Sequence, residues 1–256
     1  MIVSMKVLLN ILTHGDERIG LKVAREVQKL EIHHHSVVVQ HANVRAYRLK
    51  KRFIDQDLNR SFPGKKNGNY EERIAYTLSS PIKSADLVID IHSTKSELRD
   101  SIIVTKLTNT TLKYIKTIQP RYALVMNVTK DQALISQAKV GIAFEYGKDN
   151  DPLVLKKIVR DLKKLFSQIG LLDVELPKSR LLTKYFNVYS EVKKPKKYTL
   201  LPKIKNFKLI HRGDAFATNG KDYLTAEESF YPILFGNSNY KTIFGFASKR
   251  INPRIL

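Results

Sequence analysis

The chain contains no cysteine. Disulfides and thiolate ligands are therefore excluded, and any metal must sit on histidine or carboxylate side chains. The absence also fits a cytoplasmic protein. No apolar run approaches the roughly 20 residues that cross a bilayer, so no membrane partner is expected. The opening "MIVSMKVLLNIL" is apolar like a signal peptide, but it lacks a small-residue cleavage site and runs straight into His14. A first β-strand is expected there instead. Internal repeats and low-complexity tracts are also missing. Acidic residues are scarce, 24 against 45 lysines and arginines, for a net charge of +21. The excess runs through both halves, with one local concentration at "EVKKPKKYTLLPKIKNFK", Glu191 to Lys208. No zinc-finger spacing, ribonucleoprotein aromatic motif or arginine-rich arm accompanies it. A solvated, lysine-rich surface is thus favoured over a nucleic-acid partner, and its field suits small anionic substrates.

What is present is enough apolar residue, 43% of 256 positions, for one large core or two modest ones. "KVLLNIL", "HSVVVQHANV", "ADLVIDIHS", "SIIVTKL", "YALVMNV" and "KVGIAFEYG" have the short apolar character of strands. "ERIGLKVAREVQKL" places Ile19, Val23, Val27 and Leu30 on one helical face. "NYEERIAYTLSSPI" predicts a helix that ends at Pro81. "DPLVLKKIVRDLKKLFSQIG" predicts another, capped by Asp151, with Pro152 at its first position and Gly170 closing it. After Gly170 the texture changes to strands and hairpins with Gly213-Asp214 and Asn219-Gly220 at turns. The prediction is an α/β fold: a mixed, mostly parallel central sheet flanked by helices over residues 1–172, then a smaller β-rich domain over 173–256.

Three strand-like segments end in a residue able to bind metal or move a proton: His14 after the first, His92 after "LVIDI", and Glu145 after "VGIAF". In open α/β sheets ligands gather at the carboxyl ends of strands. His14 and Glu17 flank the turn from strand to helix, a spacing that lets an imidazole and a carboxylate reach one ion, with His92 as a third ligand. Two histidines and a glutamate leave one position for water, as a catalytic zinc requires. Taken alone, His-x-x-Glu is also an ordinary helix start, and His92 also reads as a core histidine. "KRFIDQDLNRSFPGKKNGNYEERIA" mixes Asp55, Asp57, Asn59 and Arg60 with Phe53, Ile54, Leu58 and Phe62. It is too polar for a core strand and too apolar for a free loop, as expected of an ordered loop beside a site.

In this order, "THGDE", "RFIDQDLNRSFPG" and "DIHST" resemble the H-G-x-E, R-x-x-x-x-D-L-N-R and D-x-H-x-T signatures of the aspartoacylase and succinylglutamate desuccinylase family, within the zinc carboxypeptidase superfamily. "FEYG" and "YPILFGNSNY" resemble, more weakly, the segments where that family keeps its catalytic glutamate and a tyrosine returned to the active site. The resemblance implies a zinc-carboxypeptidase-like fold whose C-terminal domain shapes the cleft. It also implies one zinc ion per chain on His14, Glu17 and His92. Glu145 would be the general base, and Arg52 would hold the developing oxyanion. Asn59 and Arg60 would clamp a substrate carboxylate, and Tyr240, in preference to Tyr231, would touch substrate. The implied activity is hydrolysis of an N-acyl amino acid or similar small anionic amide.

Two alternatives stay open: a metallocarboxypeptidase acting on peptides, and an anionic-polymer or nucleic-acid binding protein with a vestigial metal site. One departure from the family pattern bears on the substrate. Aspartoacylases carry an arginine before the general base that helps bind an acidic side chain, and "DQALISQAKVG" has none. N-acetylaspartate is therefore not assumed as substrate. The "HHH" cluster, His33 to His35, is expected to be an exposed turn rather than a second metal site. Oligomeric state is not legible.

Overall fold

The computed structural model describes residues 5–32, 37–94, 100–174 and 182–253. The His33–His35 cluster lies outside them. The chain opens with β1 (Val7–Ile11), buried along its whole length as a strand covered on both faces must be. Then come α1 (Ile19–Gln28), β2 (Val37–His41), the short helix α2 (Val44–Arg48), a 3-10 turn at Leu58–Arg60, and α3 (Tyr70–Ser84). These are followed by β3 (Leu87–Ser93), β4 (Ser101–Val104), α4 (Asn109–Ile118), β5 (Tyr122–Met126), a 3-10 turn at Leu134–Gln137, β6 (Gly141–Tyr146) and α5 (Pro152–Gln168). The remaining elements are strands: β7 (Lys184–Lys193), β8 (Thr199–Leu200), β9 (Ala215–Thr218), β10 (Tyr223–Thr225), β11 (Tyr231–Ile233) and β12 (Ile243–Ile251).

Among the described residues, nine strands form one sheet in the order β11-β12-β7-β5-β4-β6-β3-β1-β2. β2, β1, β3 and β6 run parallel. β4, β5 and β7 form a second parallel block, and the two blocks meet at an antiparallel β4–β6 seam. β12 and β11 close the far edge antiparallel. A separate antiparallel sheet, β10-β9-β8, lies wholly in the C-terminal part. This is the mixed, mostly parallel sheet with a small C-terminal β region that the sequence predicts. The large sheet also continues past residue 172, through β7, β12 and β11.

Alternation along the strands sorts the two faces. Val7, Leu9 and Ile11 of β1, Leu87, Ile89 and Ile91 of β3, and Ile142 and Phe144 of β6 share a core with α1, α4 and α5. Leu8, Val88 and Ala143 point the other way, into a smaller core with Ala75 and Ile82 of α3. Stepping two residues at a time along that second face reaches Asn10, then Asp90 and His92, then Glu145. Parity alone therefore delivers polar groups from three adjacent parallel strands to one face at one edge.

The helix ends follow their chemistry. Asp151 caps α5 by accepting from the Leu153 N–H, with Pro152 in the first turn, and Gly170 leaves at φ +77°. A capping box of Asn69 and Glu72 starts α3. Contrary to expectation, α3 does not stop at Pro81 but runs on to Ser84. Only one turn lies beyond the proline, and fully buried Ile82 packs that turn onto the second core. The helix α4 escaped sequence reasoning because its threonines are poor helix formers; a Thr108–Thr111 capping box starts it. Among the described residues no helix is long and apolar enough to cross a membrane.

Removing the α5 cap tests this account of the helix boundary. Asp151→Ala is expected to lower unfolding free energy by about 1 kcal/mol, read as a shift in urea midpoint at unchanged slope.

Candidate metal centre

Immediately after β1, the turn bearing His14 lies hard against α2. A Cβ on Gly15 would stand 2.3 Å from the Ala46 carbonyl carbon and from the Tyr47 nitrogen, so only glycine fits. The Gly15 N–H donates to the Arg52 carbonyl at 3.0 Å, which brings the next loop alongside. No acidic residue lies in the first turn of α1. Asp149, beyond β6, fills that role by accepting the Ile19 N–H at 2.6 Å, and it also accepts Ser93 Oγ at 3.1 Å. One carboxylate in the turn after β6 thus joins the start of α1 to the end of β3.

Glu17 stands between two buried imidazoles. Its Oε1 lies 2.7 Å from His14 Nδ1 and its Oε2 lies 3.0 Å from His92 Nδ1. The ring centroids are 5.0 Å apart. The far nitrogen of each ring also meets a carboxylate. His92 Nε2 is 2.7 Å from Asp90 Oδ2, and His14 Nε2 is 3.1 Å from Asp57 Oδ1. Asp90 is in turn fixed by Asn10 Nδ2 at 2.7 Å and Thr13 Oγ1 at 2.8 Å. Arg52 donates from Nη1 to Glu17 Oε1 at 2.9 Å, and its Nη2 lies 3.0 Å from His14 Nε2.

Electrostatics and donor chemistry agree on what belongs here. Burial opposes charge on both histidines. Even so, Glu17 and Asp57 raise the pKa of His14, and Asp90 and Glu17 hold that of His92 well above its usual value. Burial would raise Glu17, yet the two histidines hold it well below the carboxylate range. Asp57 is likewise depressed, against its burial, by His14, Arg52 and Arg60. The carboxylates demand positive charge between them. The donor atoms of His14, Glu17 and His92 lie within 4.8 Å of one another. Two nitrogens, one oxygen and outer carboxylates orienting the rings form a donor set that suits a divalent cation.

The neighbouring loop is anchored from α3. Fully buried Glu71 accepts the N–H groups of Ile54, Asp55 and Gln56 at 2.7, 2.9 and 3.2 Å, together with Asn43 Nδ2 at 3.0 Å. The loop so held presents Asn59, whose Oδ1 accepts the Leu134 N–H at 2.9 Å and whose Nδ2 lies 3.4 Å from His92 Nε2. Arg60 donates from Nη1 to the Asn59 carbonyl at 3.0 Å. Glu145 is pushed up to about 7 by burial and Glu17, against the pull of His92, His14 and Arg52. Burial and Glu145 also raise Tyr240. Tyr240 sits edge-on to Phe246 at 5.7 Å, while Lys194 Nζ donates to its backbone carbonyl at 2.7 Å. His14, Glu17, Arg52, Asn59, Arg60, His92, Glu145 and Tyr240 all line one cavity of about 340 Å³. Tyr231 does not; it packs edge-on against Phe186 at 5.3 Å.

The family model of the succinylglutamate desuccinylase/aspartoacylase catalytic domain matches residues 4–169. The chain belongs to this family. The matched stretch holds every cavity residue just named except Tyr240. No curated protein matches the chain. Among solved structures, murine aminoacylase 3 superposes with a TM-score of 0.79 at 19% identity, covering 97% of this chain and 96% of that one. A succinylglutamate desuccinylase/aspartoacylase from Rhodobacter sphaeroides gives 0.73 at 18%, with 97% and 86% covered. The product-bound ectoine utilization protein EutE from Ruegeria pomeroyi gives 0.70 at 19%, with the same coverage. At these identities the likeness is one of fold, shared by family members over nearly the whole chain.

Sequence reasoning missed four members of the site's supporting frame. Asp90 was legible in principle, since two residues along a strand return to the same face. Asp57 shows in the sequence only as a polar residue of the loop. Asp149 and Glu71 carried no local signal, because their partners lie in other elements.

Removing the anchor should loosen the loop. Glu71→Ala is expected to cost about 3 kcal/mol, since it orphans several buried donors that now meet its two side-chain oxygens. Denaturant unfolding checks this; a loss below about 1 kcal/mol would show that the loop is held by other contacts.

Proposed function

We propose that the protein is a zinc-dependent hydrolase that cleaves the amide bond of an N-acyl amino acid or a similar small, carboxylate-bearing amide. The observation that carries this is the convergence of His14, Glu17 and His92 with Glu145 in one small cavity. Family membership supports it, as do the names of the fold relatives, an aminoacylase and a succinylglutamate desuccinylase/aspartoacylase among them. His14, Glu17 and His92 would hold one zinc ion per chain. When bound, zinc lowers the pKa of its water toward neutrality and polarises the acyl carbonyl.

The remaining chemistry belongs to this chain's own side chains. Glu145 takes the proton of the attacking water and returns it to the leaving nitrogen. A carboxyl group with a pKa of about 7 can do both near neutral pH. Arg52, about a third exposed, faces the developing oxyanion with N–H donors left over from Glu17. Asn59 and Arg60 clamp the substrate carboxylate, for which a planar guanidinium is better shaped than a lysine. Asp90 acts through His92, fixing the ring so that Nδ1 stays turned inward. Tyr240, which lines the same cavity, contacts the substrate. Residues 173–256 serve as the cleft-shaping domain, since Leu234, Tyr240 and Phe246 line the same cavity.

Metal analysis of purified protein, paired with an activity panel, tests the proposal. The expected result is about one zinc per chain, with hydrolysis of N-acyl amino acids that chelator abolishes and zinc restores. Zinc-loaded protein inert toward that panel would refute it. Preferential release of C-terminal residues from peptides would make it a carboxypeptidase.

Two variants divide the roles. Glu145→Ala should retain zinc while turnover drops about 100- to 10,000-fold, whereas His92→Ala should lose both. Turnover near wild type in the Glu145 variant would remove it as base. The pH profile supplies a third test. Glu145 must be ionised to accept a proton, so kcat/KM should fall as pH drops through its pKa. A bound cation lowers that pKa further, which places the acid limb at or below about 7. An acid limb centred above 8 would be inconsistent with the assignment.

A further inference from the structure

The cavity has a floor to which the chemistry above assigns no task. Ile103 of β4 and Ala143 of β6 are direct partners across the antiparallel seam, on the face that carries Glu145 two residues further along. Met126 of β5 and Phe246 of β12 extend the same floor, and Ile135 and Leu234 wall it. Every one of these side chains is apolar. Among the described residues that line the cavity, the cations are Arg52, Arg60 and Lys148. The first two come from the loop before α3 and the third from the turn after β6, so none stands on the strands of the floor.

Leu234 shows that this wall is built at some conformational cost. Its φ is +54°, a region that glycine or asparagine enters easily and leucine does not. Its surroundings impose the conformation. Asn239 Nδ2 donates to the Leu234 carbonyl at 3.0 Å, and Asn206 Oδ1 accepts the Phe235 N–H at 2.8 Å. Gly245 leaves the room the turn needs, since a Cβ there would stand 2.9 Å from the Leu234 carbonyl carbon. A strained backbone is thus tolerated with an apolar side chain at the cavity wall.

We infer that the substrate carries an apolar group that lies on this floor, and that Ile103 and Leu234 determine that preference; the inference rests on the hydrolase reading above. An aliphatic or aromatic group gains free energy by burial there. A second carboxylate would lose its hydration on a surface whose side chains among the described residues, Ile103, Met126, Ala143 and Phe246, offer neither donor nor cation. The apolar group belongs either to the amino-acid side chain or to the acyl chain, and the experiment separates the two.

Calorimetric titration of zinc-loaded Glu145→Gln protein measures binding without turnover. The probes are N-acetyl-leucine, N-hexanoylglycine, N-acetylaspartate and N-succinylglutamate. At least one of the first two is expected to bind ten-fold or more tightly than both acidic compounds, and whichever does so identifies the half on the floor. Adding Leu234→Asn, which suits the positive φ, should reduce the preference to under three-fold. Adding Ile103→Arg should turn it toward the acidic compounds. Should Ile103→Arg fail to fold, as judged by circular dichroism, the Leu234 variant decides. Equal or tighter binding of the acidic compounds overturns the inference, as does binding of none, or a preference unchanged by the substitutions. If the apolar preference appears but wild-type enzyme cleaves none of the four, the hydrolase reading fails while the floor's assignment stands.

Discussion

Glu17 puts one of its oxygens against each of two buried imidazoles, and the rest of the site is arranged to make that contact tolerable. A buried charge is costly unless it is paired and hydrogen-bonded. Here the pairing is extended outward: each imidazole passes its far nitrogen to a second carboxylate, Asp57 or Asp90. Asp90 is then held by Asn10 and Thr13. The result is a shell of anionic oxygens around two rings, a local demand for positive charge in a strongly basic protein. Within a chain of net charge +21, this buried cluster gathers three carboxyl groups, Glu17, Asp57 and Asp90, around the two rings.

The fold meets this demand through strand parity and a few long-range tethers. β1, β3 and β6 are neighbours and run the same way, so the same face and the same edge receive polar residues from all three. Gly15 allows the His14 turn to touch α2. Asp149 binds the start of α1 to the end of β3, and Glu71 gathers three successive backbone donors of the loop carrying Asn59 and Arg60. None of these tethers is itself chemical machinery. Each replaces conformational freedom with a fixed hydrogen bond, so the reactive side chains begin near their working positions. Strands β4, β5 and β6, together with Leu234 and Phe246 from the C-terminal part, add a different material, an apolar floor and wall beside the charged cluster, and the cavity acquires a polar end and a greasy one.

Most of the chemistry-bearing set is legible in the order of residues alone. His14, His92 and Glu145 each follow an apolar run, and strand ends in open α/β sheets are where loops converge. The motif order around Glu17, Arg52, Asn59 and Arg60 adds the rest, and all of them line one cavity. Asp151 and Gly170 bound α5 as their side-chain chemistry dictates. Pro81 misleads because proline's penalty is local, while the burial of Ile82 is tertiary. The threonines of α4 mislead for the same reason, since propensity yields to packing and capping.

The sequence by itself determined which donor atoms were available, nitrogen and oxygen without sulfur, and that they would stand at the ends of buried strands. It also determined where helices must start when a capping residue and a proline coincide. Only the tertiary structure decided which carboxylate faces which imidazole nitrogen, which tyrosine reaches the cavity, and that Ile103, Met126, Leu234 and Phe246 share one surface. The physical reason is the same in each case. Periodicity and capping act over a few residues, whereas these contacts join strands whose order in the sheet departs from their order in the chain. Nothing local in a strand records which neighbour it will have.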